Sequence, residues 1–284
     1  MERIGVVGCG LMGAGIAEVA ARAGLDVVVV EQNTDALNAG RERVEKSLAR
    51  AVASGKLSED EAALTRSHLR FTEDLGELAK VEFAIEAVSE KESLKIEVFK
   101  KLDAVVQDPE AVLATNTSSI PIIKLAMATH RPEQVIGMHF FNPVPVLKLV
   151  EVISSLLTSP ETTARVNEFA SGPLQKKVIT SPDRAGFVVN ALLIPYLLSA
   201  VRMLESGFAS AEDIDTGMVM GCAHPIGPLA LTDLIGLDTT LAVAESLCEE
   251  FKEPHLAPPP LLSRMAQAGL LGRKSGQGFY SYRK

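Results

Sequence analysis

His139 and Glu151 carry the strongest chemical signal in the chain. His139 opens the run HFFNP directly after the apolar residues 135–138, and Glu151 lies within LKLVEVI. Period-two alternation puts Leu149, Glu151 and Ile153 on one face of an extended segment, so the acid points inward among apolar neighbours. A carboxylate buried without a partner is costly. The economical arrangement is a hydrogen bond between one imidazole nitrogen of His139 and Glu151, which fixes the ring tautomer and leaves the other nitrogen as a base. Taken singly, the two have plainer readings: a satisfied structural histidine and an edge carboxylate in water. His68, His130, His224 and His255 lie in helical, loop or proline-flanked settings that carry no comparable signal.

A histidine oriented in this way suits proton exchange with a secondary alcohol, and the N-terminus offers the matching oxidant site. VVGCGLMGAGI follows a strand-like run and opens a helical one. Gly8 permits the tight turn, Gly10 lets backbone approach a pyrophosphate, and Gly13 allows close packing of helix on strand; Leu11 and Met12 complete the cofactor-binding turn. The next strand-like run, DVVVV, ends in Glu31, roughly 20 residues past the turn. Its carboxylate can accept from both ribose hydroxyls and repels a 2'-phosphate, which favours NAD over NADP. The plainer reading is a structural turn with a solvated acid. Cys9, between two glycines, reads as a small filler. TNTSS (residues 115–119) follows another strand-like run, so in an open parallel sheet both it and HFFNP face the cofactor.

The elements that must position these groups are short β-branched runs, at residues 3–7, 27–30, 81–86, 112–115, 135–138 and 149–153, with helical patterns between most of them. This alternation predicts an α/β domain with a parallel sheet covered on both faces. After SPDRAG the pattern becomes helical, broken by Gly and Pro. A dinucleotide-binding domain over residues 1–184 and a smaller all-α domain over 185–284 are expected.

The 284 residues carry 28 basic and 36 acidic side chains, a net charge of −8 without a long basic tract, which argues against general nucleic-acid binding. Three scattered cysteines give neither a disulfide framework nor a metal spacing. With no leader pattern at the start, a reducing cytoplasm is expected. The longest apolar stretch, residues 185–201, is interrupted by Asn190, Pro195 and Ser199 and reads as a buried helix rather than a membrane anchor.

Across nearly its whole length the chain resembles the 3-hydroxyacyl-CoA dehydrogenases, specifically the short monofunctional 3-hydroxybutyryl-CoA dehydrogenases. The resemblance lies in GCGLMGAGIA, IEAVSEKESLK, TNTSSI, HFFNPVPVLKLVE, GFVVNALLIPYL, DIDTGMVMG, HPIGP, DLIGLDTT and GRKSGQGFY. It implies a Rossmann-like N-terminal domain, a helical C-terminal domain that forms a homodimer, and NAD-dependent oxidation of an L-3-hydroxyacyl-CoA thioester to the 3-ketoacyl-CoA. It also implies His139 as base and Glu151 as its orienting partner, with Ser118 touching substrate oxygen and cofactor and Asn190 holding the reacting carbonyl. Glu31, Glu90, Lys95, Asn142 and Lys274 match positions that contact NAD. The chain departs from the family's D-x-P-G-F-x-x-N-R junction at Ala185 and Ala191. Plainer roles stay open for Ser118 as a turn or capping serine, Asn190 as a buried helix amide and Lys274 as a strap on the tail.

Residues 41–56 hold five basic and two acidic side chains, with Arg43, Lys46 and Arg50 opposite the apolar face of Leu37, Val44, Leu48 and Val52. A solvated face is one reading. The resemblance implies that this region lies over CoA, with Ser47 and Lys56 at substrate-binding positions. Two other functions remain open: a dehydrogenase of a free hydroxy acid on the same fold, and a catalytically silent dinucleotide-binding protein.

Overall fold

The computed structural model describes residues 3–282. The chain divides into two compact units, Met1–Arg184 and Ala185–Lys284. Among the described residues the first unit forms one eight-stranded sheet from β1 (Arg3–Val7), β2 (Asp26–Val30), β3 (Leu69–Thr72), β4 (Phe83–Glu86), β5 (Val112–Thr115), β6 (Val135–Phe140), β7 (Leu149–Ser154) and β8 (Lys177–Pro182). The order is β3-β2-β1-β4-β5-β6-β7-β8. Pairing is parallel except between β6 and β7, where the connection is too short for a crossover helix.

Helices α1 (Leu11–Arg22), α2 (Thr34–Ala53), α3 (Glu59–Ser67), α4 (Glu92–Val105), α5 (Ile122–Ala126) and α6 (Pro160–Ser171) supply most of the crossovers. Strand alternation divides the core. Ile4, Val6, Val27, Val29, Phe83 and Ile85 pack with Ile16 of α1, Leu48 of α2 and Phe169 of α6. Phe99 and Leu102 of α4 and Leu125 of α5 are buried as well.

Small side chains let α1 lie close to the sheet. A Cβ on Gly13 would collide with the Gly8 carbonyl, and Gly8 itself has φ +90°, which favours glycine. Registry aligns the strand ends: Val7 pairs with Val30 and with Glu86, and Glu86 with Thr115. The residues that follow these strands therefore emerge along one edge.

The structure differs from the sequence reading at three strands. β6 continues through His139 and Phe140, so the histidine lies inside the strand instead of in a loop after it. β3 and β8 are additional; both are half-exposed, and β8 ends in Pro182, so neither shows the continuous apolar run of a central strand.

The second unit is helical: α7 (Val189–Glu205), α8 (Ala211–Cys222), α9 (Pro228–Ile235), α10 (Leu237–Phe251) and α11 (Pro260–Gln267). Ile194, Leu197, Leu198, Leu229, Val243, Leu247 and Leu262 form its core. Two buried carboxylates organise it. Asp215 accepts from Leu229 N and Ala230 N at the start of α9, each at 2.8 Å, and Asp233 accepts from Phe279 N and Tyr280 N, each at 2.9 Å. The Asp233 bonds tie down the chain after α11. Among the described residues no helix is long and apolar enough to cross a membrane.

Candidate active site

The turn between β1 and α1 opens onto a cavity of about 550 Å³ lined by Gly8, Gly10, Val30, Glu31, Ala87, Ser89 and Lys101 among others. A Cβ on Gly10 would meet nothing within 4 Å, so the N-terminus of α1 faces open space where a pyrophosphate fits. Glu31 borders the same cavity beside the turn: its Oε1 accepts from Cys9 N at 2.6 Å and its Oε2 from Gln32 N at 3.1 Å. Leu11 is exposed and Met12 half-buried at the start of α1. Cys9 fills the underside of the turn. Its thiol is fully buried, and burial, with Glu31 nearby, pushes its pKa up to about 12. This turn has the room, the donors and the acid that a dinucleotide with a free 2'-hydroxyl requires.

A second cluster sits at the ends of β5, β6 and β7. His139 and Glu151 are cross-strand partners, and His139 Nδ1 lies 2.7 Å from Glu151 Oε2. An ionised carboxylate only accepts, so the ring carries its proton on Nδ1. His139 Nε2 then accepts from Ser118 Oγ, 3.1 Å away. Glu151 is fully buried and His139 is 5% exposed. The Phe141 ring packs against the imidazole, with centroids 4.7 Å apart.

Ser118 is held by groups that the residue types alone do not single out. Oε1 of Glu90 accepts from Thr117 Oγ1 at 2.5 Å, Ser118 N at 2.8 Å and Ser119 N at 3.2 Å. Its other oxygen pairs with Lys95 at 3.2 Å. Partial burial opposes ionisation of Glu90, but the Lys95 charge and the donors from Thr117 and Ser118 outweigh it and hold the carboxyl below its ordinary pKa. Lys95 is 1% exposed and also donates to both oxygens of Glu86, at 2.7 and 2.9 Å, while Thr115 Oγ1 donates to Glu86 Oε2 at 2.7 Å. The Lys95 ammonium is thus turned toward carboxylates beneath the loop. Asn116 Oδ1 accepts from Phe140 N at 2.9 Å and ties the loop to the residue after His139. Glu86 had a readable signal, an acid ending an apolar strand as Glu31 does; Asn116 and Thr117 had none beyond membership of TNTSS.

Arg43, Lys46, Ser47 and Arg50 of α2 line a groove of about 160 Å³ with Glu18, Asn142, Pro143, Val144 and Pro145. Arg43 also donates to Cys9 O at 3.1 Å, linking this groove to the glycine turn. Lys46 is paired with Glu42 at 2.7 Å. Lys56 lies beyond the end of α2, exposed, outside the lining of this groove. Glu18 is 1% exposed, and burial raises its pKa against the Ser47 hydroxyl and Arg22. Among the described residues its Oε2 has no hydrogen-bond partner. The sequence reading overlooked it because it sits among alanines on an amphipathic helix. Asn190 and Lys274 belong to the second unit: Asn190 is half-buried in the first turn of α7, and Lys274 is ion-paired with Asp238.

Comparison with known proteins agrees with this layout. Residues 3–184 match the model of the 3-hydroxyacyl-CoA dehydrogenase NAD binding domain, and residues 186–282 match that of the C-terminal domain. A 3-hydroxybutyryl-CoA dehydrogenase from Mycobacterium tuberculosis is 57% identical over 282 residues, covering 99% of each chain. The crystal structure of M. tuberculosis FadB2 is 57% identical, with a TM-score of 0.99 over 100% of this chain and 99% of that one. The (S)-3-hydroxybutyryl-CoA dehydrogenase PaaH1 from Ralstonia eutropha is 45% identical, with a TM-score of 0.95 over 100% of both chains. With both domain models matched in series and its full length shared with such relatives, the chain belongs to the 3-hydroxyacyl-CoA dehydrogenase family.

Proposed function

We propose that the protein interconverts L-3-hydroxybutyryl-CoA and acetoacetyl-CoA with NAD, using His139 as acid and base and Glu151 to orient it. The observation that carries this reading is His139 held between Glu151 Oε2 and Ser118 Oγ. The relatives named 3-hydroxybutyryl-CoA dehydrogenase support the substrate.

Gly8, Gly10, Leu11, Met12, Gly13 and Glu31 would hold NAD, which when bound supplies the hydride acceptor. In the oxidative direction Nε2 of His139 takes the hydroxyl proton as the C3–H electron pair leaves the substrate. Glu151 meets the charge that appears on the ring and keeps Nδ1 protonated. In reduction the same nitrogen returns the proton to the new alkoxide oxygen. Acid/base positioning of this kind contributes about 10² to 10⁴ in rate. The Ser118 hydroxyl, already on Nε2, is set to follow the substrate oxygen, and Glu90 with Lys95 fixes the loop that carries it. By resemblance to the family, Asn142 and Lys274 would contact NAD and Asn190 the reacting carbonyl.

The groove of Ser47, Arg43 and Arg50 would take the phosphates of CoA; Lys56, beyond the end of α2, enters this reading through the family resemblance alone. Net negative charge does not oppose this, because both anions meet local sites: a helix N-terminus and a basic helix face. The second unit would also pair two copies into a homodimer. The unpaired cysteines, one of them the exposed Cys222, support a reducing, cytoplasmic setting.

The test is NADH oxidation with acetoacetyl-CoA and with free acetoacetate, in wild type and His139→Ala. Rapid turnover of the thioester alone, lost in the variant, is expected. Equal rates in the two proteins would remove His139 from its role, and turnover of free acetoacetate alone would remove CoA from the reading.

A further inference from the structure

The connection between β6 and β7 is anchored by a buried cation that the proposed chemistry does not use. Lys176, just before β8, is 8% exposed, and its ammonium donates to Val144 O at 2.6 Å and to Leu147 O at 2.7 Å. These carbonyls belong to a single tight turn, in which Val146 N and Leu147 N both donate to Pro143 O at 3.0 and 2.9 Å. A cation at the carbonyl end of a turn meets converging dipoles. Burial, with the Arg22 charge adding to it, lowers the pKa of Lys176.

The same turn is seated on α1. Val144 is 2% exposed, and a Cβ on Gly15 would stand 2.8 Å from Val144 Cβ. Residues 142–145, which carry this seat, are also the wall facing Ser47 and Arg50 across the groove. Lys176 does not line the groove, yet it holds the carbonyl of Val144, which does.

We propose that Lys176 is a positioning residue for CoA recognition: its ammonium locks the turn at residues 143–147 so that the groove keeps the width a CoA thioester needs. This rests on the reading of the groove as the CoA site. The lock acts on the wall beyond His139 and leaves the β6–β7 ladder, and so the His139–Glu151 pair, unchanged.

The experiment compares wild type, Lys176→Met and Lys176→Arg with two substrates, acetoacetyl-CoA and the truncated thioester S-acetoacetyl-N-acetylcysteamine. Hydrogen exchange of the Val146 and Leu147 amides is measured alongside. For Lys176→Met the expected result is faster exchange at both amides and KM for acetoacetyl-CoA raised about tenfold, with kcat and the truncated substrate's kcat/KM nearly unchanged; binding lost without a change in kcat is uniform binding. Lys176→Arg restores most of both readouts. Equal loss of kcat/KM for both substrates would overturn the proposal, as would faster exchange with unchanged KM. If Lys176→Met does not fold, Gly15→Ala displaces the same turn from its α1 side and must raise KM for acetoacetyl-CoA selectively, or the proposal fails. Wild type without acetoacetyl-CoA turnover would overturn the function itself, a result distinct from any of these.

Discussion

His139 and Glu151 occupy directly opposed positions on the antiparallel strands β6 and β7, and their side chains meet at 2.7 Å. The pair is therefore fixed by the backbone ladder, not by loop conformation. Glu151→Gln keeps the shape but exchanges an obligate acceptor for an amide that can present a donor to Nδ1. Loss of kcat by about 10² with KM for acetoacetyl-CoA nearly unchanged is expected. Steady-state kinetics in both directions checks this, and a kcat within twofold of wild type would contradict an orienting role for the acid.

Ser118 and Glu90 separate positioning from contact. Ser118→Ala removes the hydroxyl on Nε2 but leaves the backbone N–H that Glu90 accepts, so kcat should fall about tenfold with little change in Tm, taking one lost hydrogen bond as roughly 1 kcal/mol. Glu90→Ala should lower kcat as well and in addition lower Tm, because four donors of the loop lose their acceptor. Paired melting curves and initial rates distinguish the two.

Glu90 also sets an acid limb of stability. Its carboxyl is held below the ordinary value, so the folded state binds the proton less readily than the unfolded chain. The contribution is complete above the ordinary carboxylate range, about pH 4.3 for glutamate, and is lost as pH falls through the depressed folded value. In Glu90→Gln the difference in Tm from wild type should shrink as pH drops below that range. A constant difference from pH 7 to pH 3 would contradict it.

Glu18 has the opposite sign. Burial raises its pKa, so the folded state binds the proton more readily, and ionising it costs stability as pH rises through the window between the ordinary and the raised value. Glu18→Gln removes that cost. The variant should melt higher than wild type at pH 8, with the advantage fading toward pH 4; a wild-type advantage at pH 8 would show that the carboxylate is stabilising.

Glu31 accepts from the Cys9 amide while facing the cofactor cavity. Glu31→Ala should weaken NADH about tenfold, equivalent to about 1.4 kcal/mol, and weaken NADPH less or not at all. Fluorescence titration of both coenzymes reads the ratio directly, and parallel losses for the two would mean that the acid does not select between them.

The legible parts of the molecule are those in which one short segment contains both a geometric need and the residue that meets it. The glycine turn is of this kind: Gly8, Gly10 and Gly13 each answer a constraint within a few residues. Glu31 was readable from its spacing to the glycine turn at the end of the second strand, and Glu151 as an acid placed where an apolar strand leaves no water. β3 and β8 were not, because edge strands are half-solvated and lack the apolar run that marks the strands between them. Glu90 was identified by resemblance as a cofactor contact, while its bonds to the TNTSS loop depend on backbone and hydroxyl donors far along the chain. Lys176 was silent for the same reason: its partners are two carbonyl oxygens, which any sequence would supply.

The reversal of strand direction at β7 brings residues twelve apart in sequence face to face. Because β6 and β7 form one hairpin, His139 and Glu151 are encoded in a single local segment, and the intervening turn lines the groove beside α2. Strand registry sets the His139–Glu151 geometry, whereas the packing of the turn on α1 and its bonds to Lys176 set the groove wall. On the proposed reading, the groove wall and the proton-transfer pair are thus carried by different parts of one hairpin.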